Sequence, residues 1–301
     1  MAVTIPSTSE QQWMFETPSI GGIIVGFDGS AASRGALETA ATIAAARNWP
    51  VHVVSVLPPM SSYRLSLRAG SSSDTDELRT QLRESAVRDA IGPLPGRACW
   101  THEVRIGKTA EEIASVADQR AASLIILGRS QKRGVERLFV GETTTHVVQS
   151  TATPVLLVDG EISKPATIVV AVDFRAASAR AAATAIKLLG ESGTLYLVHV
   201  EEPVEIFPDG TTAPARETES AEMVAFDRLM ACLKVPPGIV VETIVLSGSP
   251  ISVLAELCDR VGADMLAVGS RRLSTMARVV LGSVSVGLAR NVELPLVIAP
   301  G

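Results

Sequence analysis

Short runs of aliphatic and β-branched residues alternate with longer amphipathic segments along the chain. In the first half the apolar runs predict strands at 23–27, 51–57, 100–106, 123–128 and 154–158. Helical periodicity between them favours helices over 33–48, 74–90 and 109–121. Strands that alternate with helices predict a parallel sheet with right-handed crossovers, covered by helices on both faces.

The pattern occurs twice. "GGIIVGFDGSAASRGALETAATIAAARN" from Gly21 matches "ATIVVAVDFRAASARAAATAIKLLG" from Ala166, which aligns Asp28 with Asp173. "VGETTTHVVQSTATPVLLV" matches "LGSVSVGLARNVELPLVIA", which aligns Gly141 with Gly282. A repeat of this length indicates a tandem duplication of one folding unit.

The duplication predicts the domain organisation. We expect an N-terminal extension over residues 1–20, one domain over 21–159 and a second over 165–301, separated by the polar stretch "DGEISKP". Each half is predicted to be a doubly wound α/β domain with a five-stranded parallel sheet. In such sheets ligands bind beyond the carboxyl ends of the strands, where the strand order reverses.

Composition narrows the class of protein. Hydrophobic residues make up 47% of the 301 residues and charged residues 20%, which is typical of a compact folded protein. A net charge of −5 argues against general nucleic-acid binding. Three widely spaced cysteines favour a reducing compartment, and neither a signal peptide nor an apolar membrane span is evident. We therefore expect a cytoplasmic protein that contacts neither nucleic acid nor membrane.

Each half carries a glycine-bounded loop after a buried strand. The first reads "GRSQKRGVERLFVGETT" from Gly128 and the second "GSRRLSTMARVVLGSVS" from Gly269. Glycines allow close approach of the backbone to a ligand, and a helix that follows presents unpaired N–H groups to an anion. The alternative is structural: the glycines end strands, and Ser283 caps a helix. Spacing alone leaves both interpretations open.

The loops resemble those of a known family. The pattern G-x2-G-x9-G-[ST] after a buried strand resembles that of the universal stress proteins. "VGFDGSAASRGAL", the helix starts "GKTAEEI" and "GSPISVL", and the closing strands "TPVLLV" and "LPLVIA" are also similar to that family. The resemblance covers both halves. It implies the fold shared with adenine nucleotide alpha hydrolases, and closing strands that meet across a pseudo-twofold axis.

The resemblance also implies a ligand, because nucleotide-binding members of the family hold ATP, in some cases with Mg²⁺. The residues implied in the second half are Asp173, Val200, Gly269, Arg272, Gly282, Ser283 and Ser285. Those implied in the first half are Asp28, Val56, Gly128 and Gly141. Both aspartates also have a structural interpretation as caps of the turn into the next helix.

Three positions depart from the family pattern. In the first half Gln131 replaces the second glycine, and Glu142 replaces the serine of G-[ST], where its carboxylate would repel phosphate. In the second half Arg272 replaces the second glycine while "GSVS" is intact. Arg272 either obstructs the backbone approach or contacts the phosphates directly. The C-terminal half is therefore expected to hold the better site.

The sequence leaves three functions to consider, with unequal support. The first is a stress-response regulatory protein that binds adenine nucleotide, acts through a protein partner, forms a homodimer and is at most a slow ATPase. The second is a protein-interaction scaffold that binds no nucleotide, which the three departures favour. The third, a nucleotidyl transferase, would require an H-x-G-H or P-loop-like motif that the sequence lacks. His52, His199 and Cys258 are expected to belong to the core.

Overall fold

The computed structural model describes residues 21–59, 72–129, 142–201, 218–270 and 283–301. The predicted extension over 1–20 lies outside these ranges. The strands are β1 Ile23–Gly26, β2 Val51–Leu57, β3 Thr101–Ile106, β4 Leu124–Gly128, β5 Val155–Val158, β6 Thr167–Val172, β7 Ser192–Glu201, β8 Gly238–Ser247, β9 Met265–Ser270 and β10 Leu296–Pro300. The helices are α1 Ala31–Arg47, α2 Ser72–Ile91, α3 Thr109–Gln119, α4 Glu142–Ser150, α5 Ala176–Leu189, α6 Thr218–Cys232, α7 Pro250–Val261 and α8 Ser283–Asn291.

The strands of the described ranges form one sheet in the order β3-β2-β1-β4-β5-β10-β9-β6-β7-β8. Within each half all pairs are parallel, and the halves join through the antiparallel pair β5 and β10. The predicted fold class is confirmed, and the two closing strands meet as expected. Each half therefore contributes five strands to a single continuous sheet.

Helices cover both faces of the sheet. Helices α1, α2, α5 and α6 supply one hydrophobic core, and α3, α4, α7 and α8 supply the other. Each core contains residues of both halves, so the layers continue across the junction. Such burial of both faces explains why the central strands are apolar at nearly every position. Within the described ranges no helix is both long and apolar enough to cross a membrane.

The strand order fixes where a ligand crevice opens in each half. The chain passes from β1 to β2 and β3 on one side and then returns to place β4 on the other side of β1. In the second half β6 and β9 have the same relation. The carboxyl ends of each such pair diverge into separate loops, and this is where open α/β sheets bind ligands.

Candidate functional site

Among the described residues, a crevice with a cavity of about 230 Å³ lies at the switch point of each half. The first lies beyond β1 and β4, and the second beyond β6 and β9. Helices α3 and α7 begin at these cavities, with Thr109 and Pro250 among the lining residues. Sequence reasoning had not included these two helix starts in the site.

The second cavity brings together residues from separate parts of the chain. Five of the seven predicted residues of this half line it: Asp173, Val200, Gly269, Ser283 and Ser285. The other two, Arg272 and Gly282, lie outside the described residues. The lining therefore combines a carboxylate, a strand end and the first turn of α8.

The first cavity is lined by Asp28, Val56 and Gly128, together with Thr143 and Thr144 of α4. Of the remaining positions considered in this half, Gly141 and Gln131 lie outside the described residues. Glu142 is the first residue of α4, although its side chain lies outside the description. Since α4 is the equivalent of α8 in the repeat, the helix beside the first cavity begins with an acidic residue.

Both aspartates make the turn-capping contact that was the alternative interpretation. Oδ1 of Asp28 accepts the N–H of Ser30 at 2.9 Å, and Oδ1 of Asp173 accepts the N–H of Arg175 at 3.2 Å. Burial raises the pKa of the Asp28 carboxyl, but hydrogen bonds from Ser30 and Ser33 together outweigh it and lower that pKa. The carboxylate is therefore ionised at neutral pH and can accept further donors.

The second strand of each half presents backbone to the crevice. The carbonyl of Val54 accepts the N–H of Phe27 at 2.9 Å, so it points towards β1. Carbonyls two residues apart point to the same edge of a strand, so that of Val56 points past the end of β1. Val200 has the equivalent place beyond β6, because the last pair of that ladder joins Val172 to His199.

Gly128 and Gly269 are required by close packing. A Cβ on Gly128 would lie 2.2 Å from the carbonyl carbon of Ala32, and one on Gly269 would lie 2.6 Å from the backbone of Ala177 and of Ser178. The first turns of α1 and α5 therefore rest directly on these glycines. Their structural role holds whether or not a ligand approaches them.

The hydroxyl of Ser285 is already engaged. Ser285 is 2% exposed, and its Oγ donates to the carbonyl of Gly269 at 3.1 Å. This bond fixes α8 to the end of β9. Ser283, at the start of α8, is exposed and lines the cavity. Of the two serines, Ser283 is the one with a side chain accessible to a ligand.

Both halves of the chain match one known protein family. A model of the universal stress protein family matches residues 21–159 and again residues 166–300. The chain belongs to the universal stress protein family. Two relatives are similar to the chain over almost their whole length. A universal stress protein of Mycobacterium bovis is 28% identical over 305 residues, which cover 92% of this chain and 94% of the relative. One of Mycolicibacterium smegmatis is 25% identical over 291 residues, covering 92% and 96%.

Solved structures show the same fold. A universal stress protein from Archaeoglobus fulgidus superposes with a TM-score of 0.69 at 18% identity, covering 94% of this chain and 99% of that one. A second, from Pseudomonas aeruginosa, has a TM-score of 0.60 at 14% identity and covers 94% of each chain.

The two crevices of this universal stress protein differ in the side chain that contacts the backbone carbonyl at the end of the first strand. Oγ of Ser55 donates to the carbonyl of Phe27 at 2.6 Å, and at the equivalent place His199 Nδ1 contacts the carbonyl of Val172 at 2.8 Å. Because a carbonyl only accepts, Nδ1 of His199 carries a proton and donates it to this contact. His199 lines the second cavity, and sequence reasoning had placed it in the core without giving it a place in the site.

Of the three residues expected in the core, His52 and Cys258 lie there, whereas His199 is half-buried and lines the second cavity. His52 is 5% exposed and is held between Thr101 Oγ1 at 2.7 Å and Glu103 Oε1 at 3.1 Å. Cys258 is 1% exposed, and burial, with a contribution from Asp259, raises the pKa of its thiol to about 12. A thiol that stays protonated is not a nucleophile at neutral pH.

Proposed function

We propose that this universal stress protein is a regulatory protein that binds adenine nucleotide, ATP, chiefly in its C-terminal half. The observation that carries the proposal is the convergence of Asp173, Val200, Gly269 and Ser283 on one cavity. These residues are separated by as many as 110 positions in the chain, yet all lie at the switch point. In the N-terminal half, the equivalent site is modified or lost.

The cavity suits the base and the sugar of a nucleotide. Val198, Leu254 and Val268 give it apolar walls for a planar ring. In the proposed complex, the carbonyl of Val200 would accept from an exocyclic amine, and the carboxylate of Asp173 would accept from ribose hydroxyls. In both contacts the protein would supply the acceptor, and adenosine would supply the donor from its amine or its ribose hydroxyls.

The phosphates would meet the first turn of α8. A helix start presents unpaired N–H groups and the positive end of the helix dipole, and Ser283 adds a neutral hydroxyl donor there. Within the described ranges no group of three or more His, Cys, Asp or Glu side chains is placed to hold a metal. A Mg²⁺ ion would therefore arrive with the nucleotide, coordinated by its phosphate oxygens.

The first half differs from the second at the first residue of the helix whose N-terminus would face the phosphates. α4 begins with Glu142, whereas α8 begins with Ser283. A carboxylate at a helix start is stabilised by the same dipole that would attract phosphate, so it competes with the ligand and repels it. This difference supports one working site per chain.

The proposed role is regulation, with at most slow hydrolysis. In the described part of the C-terminal cavity, the one imidazole is that of His199, whose Nδ1 proton is held by the Val172 carbonyl. A bound nucleotide then acts by favouring one conformation or one contact with a protein partner. A homodimer and a cytoplasmic location belong to the same proposal.

Native mass spectrometry of the purified protein across an ATP titration tests this. We expect one ATP per chain, with the mass of the assembly reporting the homodimer in the same spectra. Two ATP per chain would show that Glu142 and Gln131 do not silence the first half. No ATP at millimolar concentration would overturn the proposal in favour of a scaffold that binds no nucleotide.

A further inference from the structure

Arg129 crosses from the N-terminal half into the C-terminal half. Its side chain is 8% exposed, and its Nε and Nη2 donate to the carboxylate of Asp159. The same guanidinium donates to four backbone carbonyls of the other half at 2.9–3.2 Å, those of Ala289, Val292, Glu293 and Leu294. These carbonyls belong to the end of α8 and the turn that follows it.

This contact stabilises the carboxyl end of a helix whose other end forms the proposed site. The last carbonyls of a helix have no partners within it, and a cation there interacts favourably with the helix dipole. α8 has nine residues, so Arg129 acts about 13 Å from the first turn that lines the cavity. Fixing one end of so short a helix also fixes the position and direction of Ser283 at the other.

Arg129 is also joined to the first crevice. It follows Gly128, which lines that cavity, and its N–H donates to the carbonyl of Val158 at 2.7 Å. A single residue therefore connects the end of β4, the end of β5 and α8 of the opposite half.

The residue equivalent to Arg129 in the second half makes no such contact with the first half among the described residues. By the repeat, Ser270 has the place of Arg129 in the second half. Ser270 is fully buried, and its Oγ has no hydrogen-bond partner among the described residues. A serine is too short to reach the end of α4, so within the described ranges this position gives the first half no equivalent support.

We infer that Arg129 is a positioning residue for the C-terminal nucleotide site, acting from the N-terminal half through α8. The inference rests on the proposed function, because it concerns the site that would hold ATP. It explains why the two halves form one functional unit: the better site is completed by the half with the poorer one.

The test compares ATP with adenosine in the full chain. Isothermal titration calorimetry should show that Arg129→Gln weakens ATP binding about fivefold or more while adenosine affinity changes little, since α8 meets only the phosphates. Leu229→Ala is the matched control. Leu229 is 7% exposed in α6, on the opposite face of the sheet from α8, so its truncation destabilises the fold without touching the link.

A conservative variant keeps the test decisive if Arg129→Gln folds poorly. Arg129→Lys retains the charge, but an ammonium cannot span Asp159 and four carbonyls at once, so we expect an intermediate loss of ATP affinity. The inference is overturned if both variants keep the wild-type ratio of ATP to adenosine affinity, or if Leu229→Ala changes that ratio as much. Failure of the wild-type protein to bind ATP would instead overturn the proposed function, and this inference with it.

Discussion

The ring of Phe174 packs on that of His199, with centroids 4.8 Å apart, from a backbone with a φ of +58°. The same ring meets Phe226 edge-on at 4.9 Å. The equivalent position in the first half is Gly29, with a φ of +88°. Both halves thus have a residue with left-handed backbone conformation after the first strand. In the second half this residue is aromatic, and its ring packs on His199 beside the cavity.

This arrangement predicts an order of stabilities. A left-handed backbone costs a non-glycine residue about 1–2 kcal/mol, and the two ring contacts contribute about 0.5–1.5 kcal/mol each beyond burial. Phe174→Gly removes both effects, whereas Phe174→Ala loses the rings and keeps the strain. Urea unfolding should therefore rank wild type above Phe174→Gly, and that variant above Phe174→Ala.

Gly29→Ala provides the control. A Cβ there would meet only Arg83 Nη1, at 3.8 Å, so its cost of about 1 kcal/mol would come from the backbone alone. If Phe174→Ala were as stable as Phe174→Gly, the left-handed conformation would not be strained in the way argued.

A second prediction concerns the glycine that ends β9. In Gly269→Ala the added methyl would lie 2.6 Å from the backbone of Ala177 and of Ser178, so the first turn of α5 must move. We expect a destabilisation of about 1–3 kcal/mol, measured by urea unfolding, and weaker ATP binding because Ser178 lines the cavity.

Gly160→Ala is the matched substitution, because a Cβ at Gly160 meets nothing within 4 Å. It should leave unfolding and ATP binding unchanged. Equal effects of the two alanines would mean that the packing at Gly269 tolerates a methyl group.

Periodicity was enough to predict most of the elements. The run at 51–57 is β2 residue for residue, and the helices α1 and α3 lie within a few residues of the predicted segments. Buried parallel strands need unbroken apolar runs, so this signal survives in a single sequence. The family resemblance implied that Asp173 and Gly269 share a site, and the rule for open α/β sheets placed that site beyond the carboxyl ends of the strands.

Long-range polar contacts could not be predicted in this way. Arg129 and the carbonyl of Leu294 are 165 positions apart, and nothing in the local pattern distinguishes Arg129 from the arginines near it. The left-handed conformation of Phe174 contradicts residue preference, and only its alignment with Gly29 would have indicated it. Ser285, which the resemblance implied as a site residue, does line the cavity, but no local pattern indicated that its hydroxyl donates to the Gly269 carbonyl.

A third prediction concerns pH. Burial lowers the pKa of His52, outweighing the opposite effect of Glu103, so the folded protein holds this imidazole neutral. The unfolded chain takes up the proton near the ordinary pKa of about 6.5, which favours unfolding below that value. The contribution of His52 is thus complete above about pH 6.5 and is lost as the pH falls towards its lower folded-state pKa.

His52→Gln removes the pH-dependent contribution of His52 to stability, because glutamine does not titrate. The free energy of unfolding of wild type should fall more steeply than that of the variant between about pH 6.5 and pH 5, as measured by urea titrations. Parallel curves over that range would show that His52 takes up a proton equally well in both states.

The last prediction exchanges the residues that begin the two equivalent helices. Ser283→Glu places in the C-terminal half the charge that Glu142 carries in the N-terminal half. Two like charges about 5 Å apart near a protein surface repel by a few kcal/mol, so ATP affinity should fall by about tenfold or more. The helix itself should not suffer, because an acidic residue in its first turn favours the dipole.

Ser283→Gln is the control, because glutamine is nearly the same size as glutamate but carries no charge. This variant should retain most of the ATP affinity if charge repulsion, and not steric obstruction, weakens binding in Ser283→Glu.

The reciprocal change, Glu142→Ser, should add or strengthen a site in the first half. Native mass spectra at an ATP concentration just sufficient to saturate the wild type are then expected to show one nucleotide per chain for wild type, a markedly lower occupancy for Ser283→Glu, up to two nucleotides for Glu142→Ser and one for the double variant. If Ser283→Gln lost ATP as completely as Ser283→Glu, size rather than charge would account for the difference between the halves. If Glu142→Ser still gave one nucleotide per chain, the carboxylate would not be what silences the first half.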